Sequence, residues 1–236
     1  MTVLLLGNSQ ARALILAYDR RLKNGTQPNG QNLDIRPLGS GRELLGEFYS
    51  ERDEAIVTHT QHYQSMTFSR NDLKYDAIGI AAPLYTLAVC GTKDWKNFRP
   101  SHLSGSGAPV SRGLFGAMAA YNQRHTLGFI DSLQKLGKRV FVVEAARLFR
   151  HHESVAFCGA EVISEVDRLY RDIIIQELQK RSVPVVYVPA RHLDDLGFMR
   201  DEHRLATEGD QNHANIDFGD IMIDEIAGQM DVILTR

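Results

Sequence analysis

The chain opens with TVLLLGNSQARALI over residues 2–15, and the reading of this junction decides the fold. Val3, Leu4, Leu5 and Leu6 form an unbroken apolar run. Gly7-Asn8-Ser9-Gln10 interrupts it, and Leu14, Ala17 and Tyr18 then recur at helical spacing. A strand apolar on both faces suits the interior of a parallel sheet. The stretch therefore predicts a buried strand running straight into a helix over 11–22. Further apolar runs at 33–37, 77–81, 139–143 and 183–188 repeat the signal. Helical periodicity falls over 122–136, where Gly137 provides the stop, and over 160–180 and 218–230. Strands and helices alternating at these lengths imply βαβ units, an α/β class and a doubly wound sheet in a single domain.

Two stretches fit the pattern less well. The polar run THTQHYQSMTFSRND lies within 46–73 and has no clear element boundaries. Residues 83–116, rich in Gly, Pro and Ser and carrying the only tryptophan, Trp95, read as a long binding loop or lid. A further polar loop at 189–209 holds His192 and His203.

Composition narrows the function classes. With 236 residues, 43% hydrophobic and 24% charged, and a formal net charge of -2, the chain builds one sizeable core and lacks the basic excess of a nucleic-acid binder. Arg20-Arg21 and Lys23 are expected on a solvated helix face. No stretch approaches the 18 apolar residues of a membrane span, and no basic segment precedes the first strand, so neither a membrane partner nor a secretory leader is expected. Cytoplasm is the expected compartment, with Cys90 and Cys158 as free thiols. His151 and His152 are adjacent, and neighbours seldom converge on one ion, so no metal is expected. The first turn carries neither a dinucleotide nor a triphosphate glycine signature, so no cofactor is expected either. No residue decides between a monomer and a homo-oligomer.

Ligands of open α/β sheets bind beyond the carboxyl ends of the strands, which is where Ser9 stands. Gly7 would permit the tight turn and Asn8 an unusual backbone angle. The Ser9 hydroxyl could cap the helix, or it could be a nucleophile if a base reaches it. GDQNHANIDFGD, near the other end of the chain, supplies that base. Asp210 and His213 are three residues apart in a loop before the last helix. Such a turn lets the aspartate hold one ring nitrogen while the other faces outward. Ser9, Asp210 and His213 thus form a candidate triad at one edge of the sheet.

Gly7-Asn8-Ser9-Gln10 together with Asp210-x-x-His213 resembles the SGNH, or GDSL-like, hydrolase superfamily. The resemblance implies a flavodoxin-like, three-layer α/β/α sandwich with a five-stranded parallel sheet, and esterase-type chemistry. It makes Ser9 the nucleophile, His213 the general base and later acid, and Asp210 its orienting partner. Asn215 and Gly219 would shape the turn and the helix start. A glycine after the second strand would give an oxyanion N–H alongside that of Ser9. Gly39 or Gly41 of RPLGSGR can serve, with Gly39 slightly preferred. The superfamily's third block usually carries an asparagine donor, and Gly79-Ile-Ala-Ala-Pro-Leu-Tyr-Thr86 has none. One oxyanion donor is worth about 3 kcal/mol in the transition state. Gln10, the Tyr85 hydroxyl, or backbone near Leu84 would have to replace it. Tyr85, Arg112, Glu144 and Arg147 are candidates for holding a polar substrate.

The expected reaction is hydrolysis of a small-molecule or saccharide acyl ester, such as a carbohydrate O-acetyl group. Gly-Asn-Ser-Gln-Ala is also similar to Gly-Asn-Cys-Gln of bacterial capsule-biosynthesis acetyltransferases, which implies acyl transfer to a sugar hydroxyl as the alternative. A carbohydrate-binding protein that lost its catalytic machinery is the reading from a third class.

Overall fold

The computed structural model describes residues 1–28 and 30–235. The opening junction folds as expected, into β1 (Thr2–Gly7) and α1 (Ala11–Asn24), followed by β2 (Asn32–Pro37). Three short strands come next, β3 (Tyr49–Arg52), β4 (Ala55–Thr58) and β5 (Thr67–Ser69), and then β6 (Ala77–Ala81). The middle of the chain forms α2 (Leu87–Cys90), β7 (Phe98–Pro100), β8 (Ala108–Val110), α3 (Arg112–Lys135) and β9 (Val140–Val143). α4 (Glu153–Cys158), α5 (Ala160–Lys180), β10 (Val185–Val186) and α6 (Ile216–Thr235) complete it.

The central sheet has five strands in the order β10-β9-β6-β1-β2, all parallel. Counting only these core strands, the order is the flavodoxin-like one, with the switch point beside β1. The pleat divides their side chains between two cores. Leu4, Leu6, Ile78, Ile80, Val140 and Val142 face α3 and α5. Val3, Leu5, Phe141 and Val143 face α1 and α6. The result is a helix-sheet-helix sandwich.

α1 and α6 lie very close together. A Cβ on Gly219 would fall 2.1 Å from the Ala13 carbonyl oxygen, so this position admits only glycine. Arg20 and Arg21, expected on a solvated face, instead reach across to α6. Arg21 donates to Asp220 at 2.7 Å and Asp224 at 2.6 Å, and Arg20 to Asp217 at 2.9 Å and to Asp220. Arg20 and Arg21 follow buried Ala17 by three and four residues, which sets them at the edge of the face that meets α6, where Asp220 and Asp224 are four residues apart.

Residues 46–73 form an antiparallel meander, β3-β4-β5. It closes over α3 through Phe48 and Phe68, whose rings meet Phe129 edge-on at 5.3 and 5.9 Å. The segment expected as a long loop over 83–116 is also built into the core. Trp95 stacks on Phe115 at 5.4 Å, its Nε1 donates to the Val89 carbonyl, and Leu84, Val89 and Cys90 are buried. α3 starts ten residues before the expected 122, with Ser111 capping it by accepting from Leu114 N at 3.2 Å. Gly113 and Gly116 in its first turns had hidden the helical period.

Candidate active site

Ser9 lies in the turn between β1 and α1, and it does not cap the helix. The turn is closed instead by Asn8, which is 2% exposed and whose Oδ1 accepts from Gln10 N at 2.9 Å, and no side chain caps α1. Asn8 keeps a negative φ, so it serves the turn through its side chain and not through an unusual backbone angle. Gly7 serves by being small: a Cβ there would come within 2.8 Å of Ala11 Cβ. With the turn closed by its neighbour, the exposed Ser9 hydroxyl forms no hydrogen bond among the described residues. An Asx side chain two residues ahead of a helix start is a known turn signal, and it could have been read from Asn8-Ser9-Gln10.

The second half of the site comes from the loop before α6. His213 Nδ1 and Asp210 Oδ2 are 2.8 Å apart. Asp210 Oδ1 also accepts from Asn212 N at 2.9 Å and His213 N at 3.0 Å, which folds the loop around the carboxylate. Burial works to raise the Asp210 pKa, yet these donors together hold it below the usual carboxylate value. The aspartate is thus ionised where it meets the imidazole. Asn215 ends the loop and caps α6, its Oδ1 accepting from Asp217 N and Phe218 N, both at 3.1 Å. On the other side, Glu153 N at the start of α4 donates to Gln211 Oε1 at 2.9 Å.

The two loops meet. Gln10, 5% exposed, donates from Nε2 to the Asn212 carbonyl at 2.9 Å, tying chain positions 202 apart. Ser9 and His213 consequently line one small depression, together with Arg12, Leu205 and Ile216. His213 Nε2 has no partner among the described residues.

Gly41, more than Gly39, belongs to this edge. A Cβ on Gly41 would lie 2.8 Å from Tyr85 Cε1 and 3.8 Å from Asn8 Nδ2, so the Tyr85 ring covers the glycine beside the Ser9 turn. Gly39 faces Thr60 and Leu44 instead. Burial pushes the Tyr85 phenol up to about 12, with the Gln10 side chain working against the rise and the Asp210 charge adding to it. Its proton is therefore held and available for donation.

Other polar candidates lie elsewhere. Glu144, expected to face a substrate, is 2% exposed and fully engaged. Its Oε1 accepts from Arg147 Nε at 2.9 Å and Arg171 Nη1 at 3.0 Å, and its Oε2 accepts from Val188 N at 2.8 Å. Arg147 follows it into that pair and opens on a pocket shared with Asp167 and Phe198, which Ser9 does not line. Arg112 stands exposed in the first turn of α3 and makes no ion pair among the described residues. His152 is a helix cap, accepting from Ser154 N at 3.1 Å, and His151 pairs with Asp201 at 2.9 Å. A cleft of about 530 Å³ runs along β2 between Arg36 and Met66, away from Ser9 and His213. Its charged wall is already internally paired, Arg36 with Asp34 at 2.7 Å.

No family model and no curated protein matches the sequence. The fold does find solved counterparts. A GDSL-like lipase from Bacteroides thetaiotaomicron is similar with a TM-score of 0.50 at 13% identity, over 98% of this chain and 88% of the lipase. A candidate acylhydrolase from Bacteroides fragilis is similar with a TM-score of 0.50 at 12% identity, over 99% of this chain and 88% of that protein. At such identities the likeness is one of fold alone.

Proposed function

We propose that the protein is a serine esterase that cleaves an acyl ester at the edge where β1 and the loop before α6 meet. The observation that carries this reading is an exposed helix-start serine, its hydroxyl unused among the described residues, in the same depression as a histidine already oriented by aspartate. A helix cap would have used the hydroxyl, and a structural histidine would have used both ring nitrogens.

Ser9 Oγ attacks the ester carbonyl carbon as His213 Nε2 takes its proton. Asp210 holds the Nδ1–H and stabilises the imidazolium that forms. The carbonyl oxygen becomes an oxyanion and meets the N–H groups of Ser9 and Gly41, neither of which donates elsewhere among the described residues. Gln10 N is already given to Asn8 and does not contribute. Tyr85, protonated and set against Gly41, provides the third donor in place of the absent asparagine. His213 then returns the proton to the leaving alcohol, and water repeats the sequence on the acyl-enzyme. Among esters, an O-acetyl group on a saccharide suits a depression too small to bury a long acyl chain.

The test is hydrolysis of p-nitrophenyl acetate and of an acetylated saccharide, set against p-nitrophenyl decanoate, by wild type and His213→Ala. Acetyl esters cleaved in preference to decanoate, with turnover lost in the variant, support the reading. Equal slow release by both proteins would overturn it.

A further inference from the structure

Behind the catalytic loop lies a cluster that the proposed chemistry does not use. His192 ends the helical turn after β10, and Glu202 and His203 lie in the turn that precedes the Asp210 loop. His192 Nδ1 and His203 Nε2 face each other at 2.9 Å, and Glu202 Oε1 is 3.3 Å from the same His203 nitrogen. One ligand atom from each of the three residues falls within 4.8 Å of the others.

We propose that His192, Glu202 and His203 bind a divalent transition-metal ion of the zinc type. Two imidazoles and one carboxylate form the donor set that such borderline ions favour, and one that magnesium or calcium does not. The spacing is close to what is needed. With metal–nitrogen bonds of about 2.0–2.1 Å, nitrogens 2.9 Å apart subtend roughly 90°, and a shift of a few tenths of an ångström opens this to a tetrahedral angle. The pair is also poorly served by protein alone. His203 is 5% exposed, and both His203 Nδ1 and His192 Nε2 are buried without a protein partner, so the two rings share one hydrogen bond between four nitrogens. The ion would sit between the two facing nitrogens, His192 Nδ1 and His203 Nε2, in place of the hydrogen bond they share. Local charge is compatible with a cation. Glu202 and Asp217 set negative charge near the rings, against the positive charges of Arg191 and Arg200, of which Arg191 reaches Glu225 at 3.4 Å and Arg200 donates to the Leu193 carbonyl at 3.1 Å.

The position gives the ion a consequence. Asn215 N donates to the His203 carbonyl at 2.8 Å, Asn215 Nδ2 to the Glu202 carbonyl at 2.7 Å, and Leu205 N to the His213 carbonyl at 2.9 Å. An ion linking 192 to 202–203 would therefore fasten the segment against which the His213 loop is paired, without touching the reacting atoms.

The experiment is calorimetric titration of tag-free, chelator-treated full-length chain with zinc chloride, with magnesium and calcium chlorides as controls, and thermal unfolding alongside. One zinc per chain is expected, with no heat from the other two ions. At 100 times the dissociation constant the Tm should rise by about 5–10 °C. His203 is buried and its replacement would disturb the loop itself, so the variants are His192→Gln and Glu202→Gln, both at more exposed positions. Each should weaken zinc by about 100-fold or more, the upper end of what even an outer partner contributes. No zinc binding to wild type would overturn the proposal. Unchanged zinc affinity in both variants would do so equally, placing the ion elsewhere, such as at Cys158.

Discussion

Two polar clusters stand at the carboxyl edge of the same sheet, and they are built in opposite ways. One gathers Thr86, Glu144, Asp167 and Arg171 between β6, β9 and α5. The other gathers Ser9, Asp210 and His213 between β1 and α6. In the first, every charge is buried and answered: Arg171 binds Asp167 at 2.7 Å and Glu144 at 3.0 Å, and Thr86 donates to Asp167. In the second, the outward atoms, Ser9 Oγ and His213 Nε2, have no partner among the described residues, while the atoms behind them are tightly held. The difference separates architecture from chemistry. A saturated network fixes the loops after β6 and β9, including Tyr85 beside Thr86. An under-committed pair, pre-oriented from behind, is free to react.

The largest expected effect lies in the second cluster. Ser9→Ala should lower ester turnover by about 10⁴-fold or more while leaving the Tm within about 1 °C, because the hydroxyl holds nothing together. Assay and thermal unfolding on the same preparation check both halves. Arg171→Leu should do the reverse. It strands Asp167 and Glu144 in the interior, a loss of about 3–5 kcal/mol, or a Tm lower by about 10 °C. Turnover per folded molecule should persist at temperatures where the variant remains native. If Arg171→Leu were as stable as wild type, the first cluster would not be the structural one.

A smaller effect sharpens the border between the two. Tyr85→Phe keeps the ring over Gly41 and removes only the hydroxyl. If that hydroxyl meets the oxyanion, kcat should fall about 100-fold with KM little changed. A change under about threefold would make Tyr85 a packing residue.

The smallest effect is a pH dependence. The folded Asp210 carboxyl titrates below its unfolded value of about 3.9. Its contribution to stability is therefore complete above that value and lost as pH falls through the lower folded one. Unfolding free energy measured between pH 6 and about 2.5 should decline less steeply in Asp210→Asn than in wild type.

Much of this was legible in the sequence, for local reasons. β1, the turn and α1 are written in consecutive residues, and so is the Asp210–His213 loop. The parallel strands are apolar on both faces and announce themselves. What the sequence hid depends on distant partners. Glu144 could be paired in the sequence with Arg147, three residues on, but its second counterion, Arg171, is 27 residues away on α5. Arg20 and Arg21 looked solvated because the carboxylates of α6 are about 200 positions on. The meander escaped notice because its strands are three or four residues long, too short to establish an alternating pattern within a polar stretch. Gly41 could be told from Gly39 only once Tyr85 was seen to cover it.

The central claim is that Ser9 is an activated hydroxyl and not a structural one. The direct measurement is intact mass after treatment with a small fluorophosphonate, on wild type, Ser9→Ala and His213→Ala. The account predicts a single adduct on wild type, none on Ser9→Ala and much slower labelling of His213→Ala. An unlabelled wild type, under conditions that modify a control serine hydrolase, would contradict it.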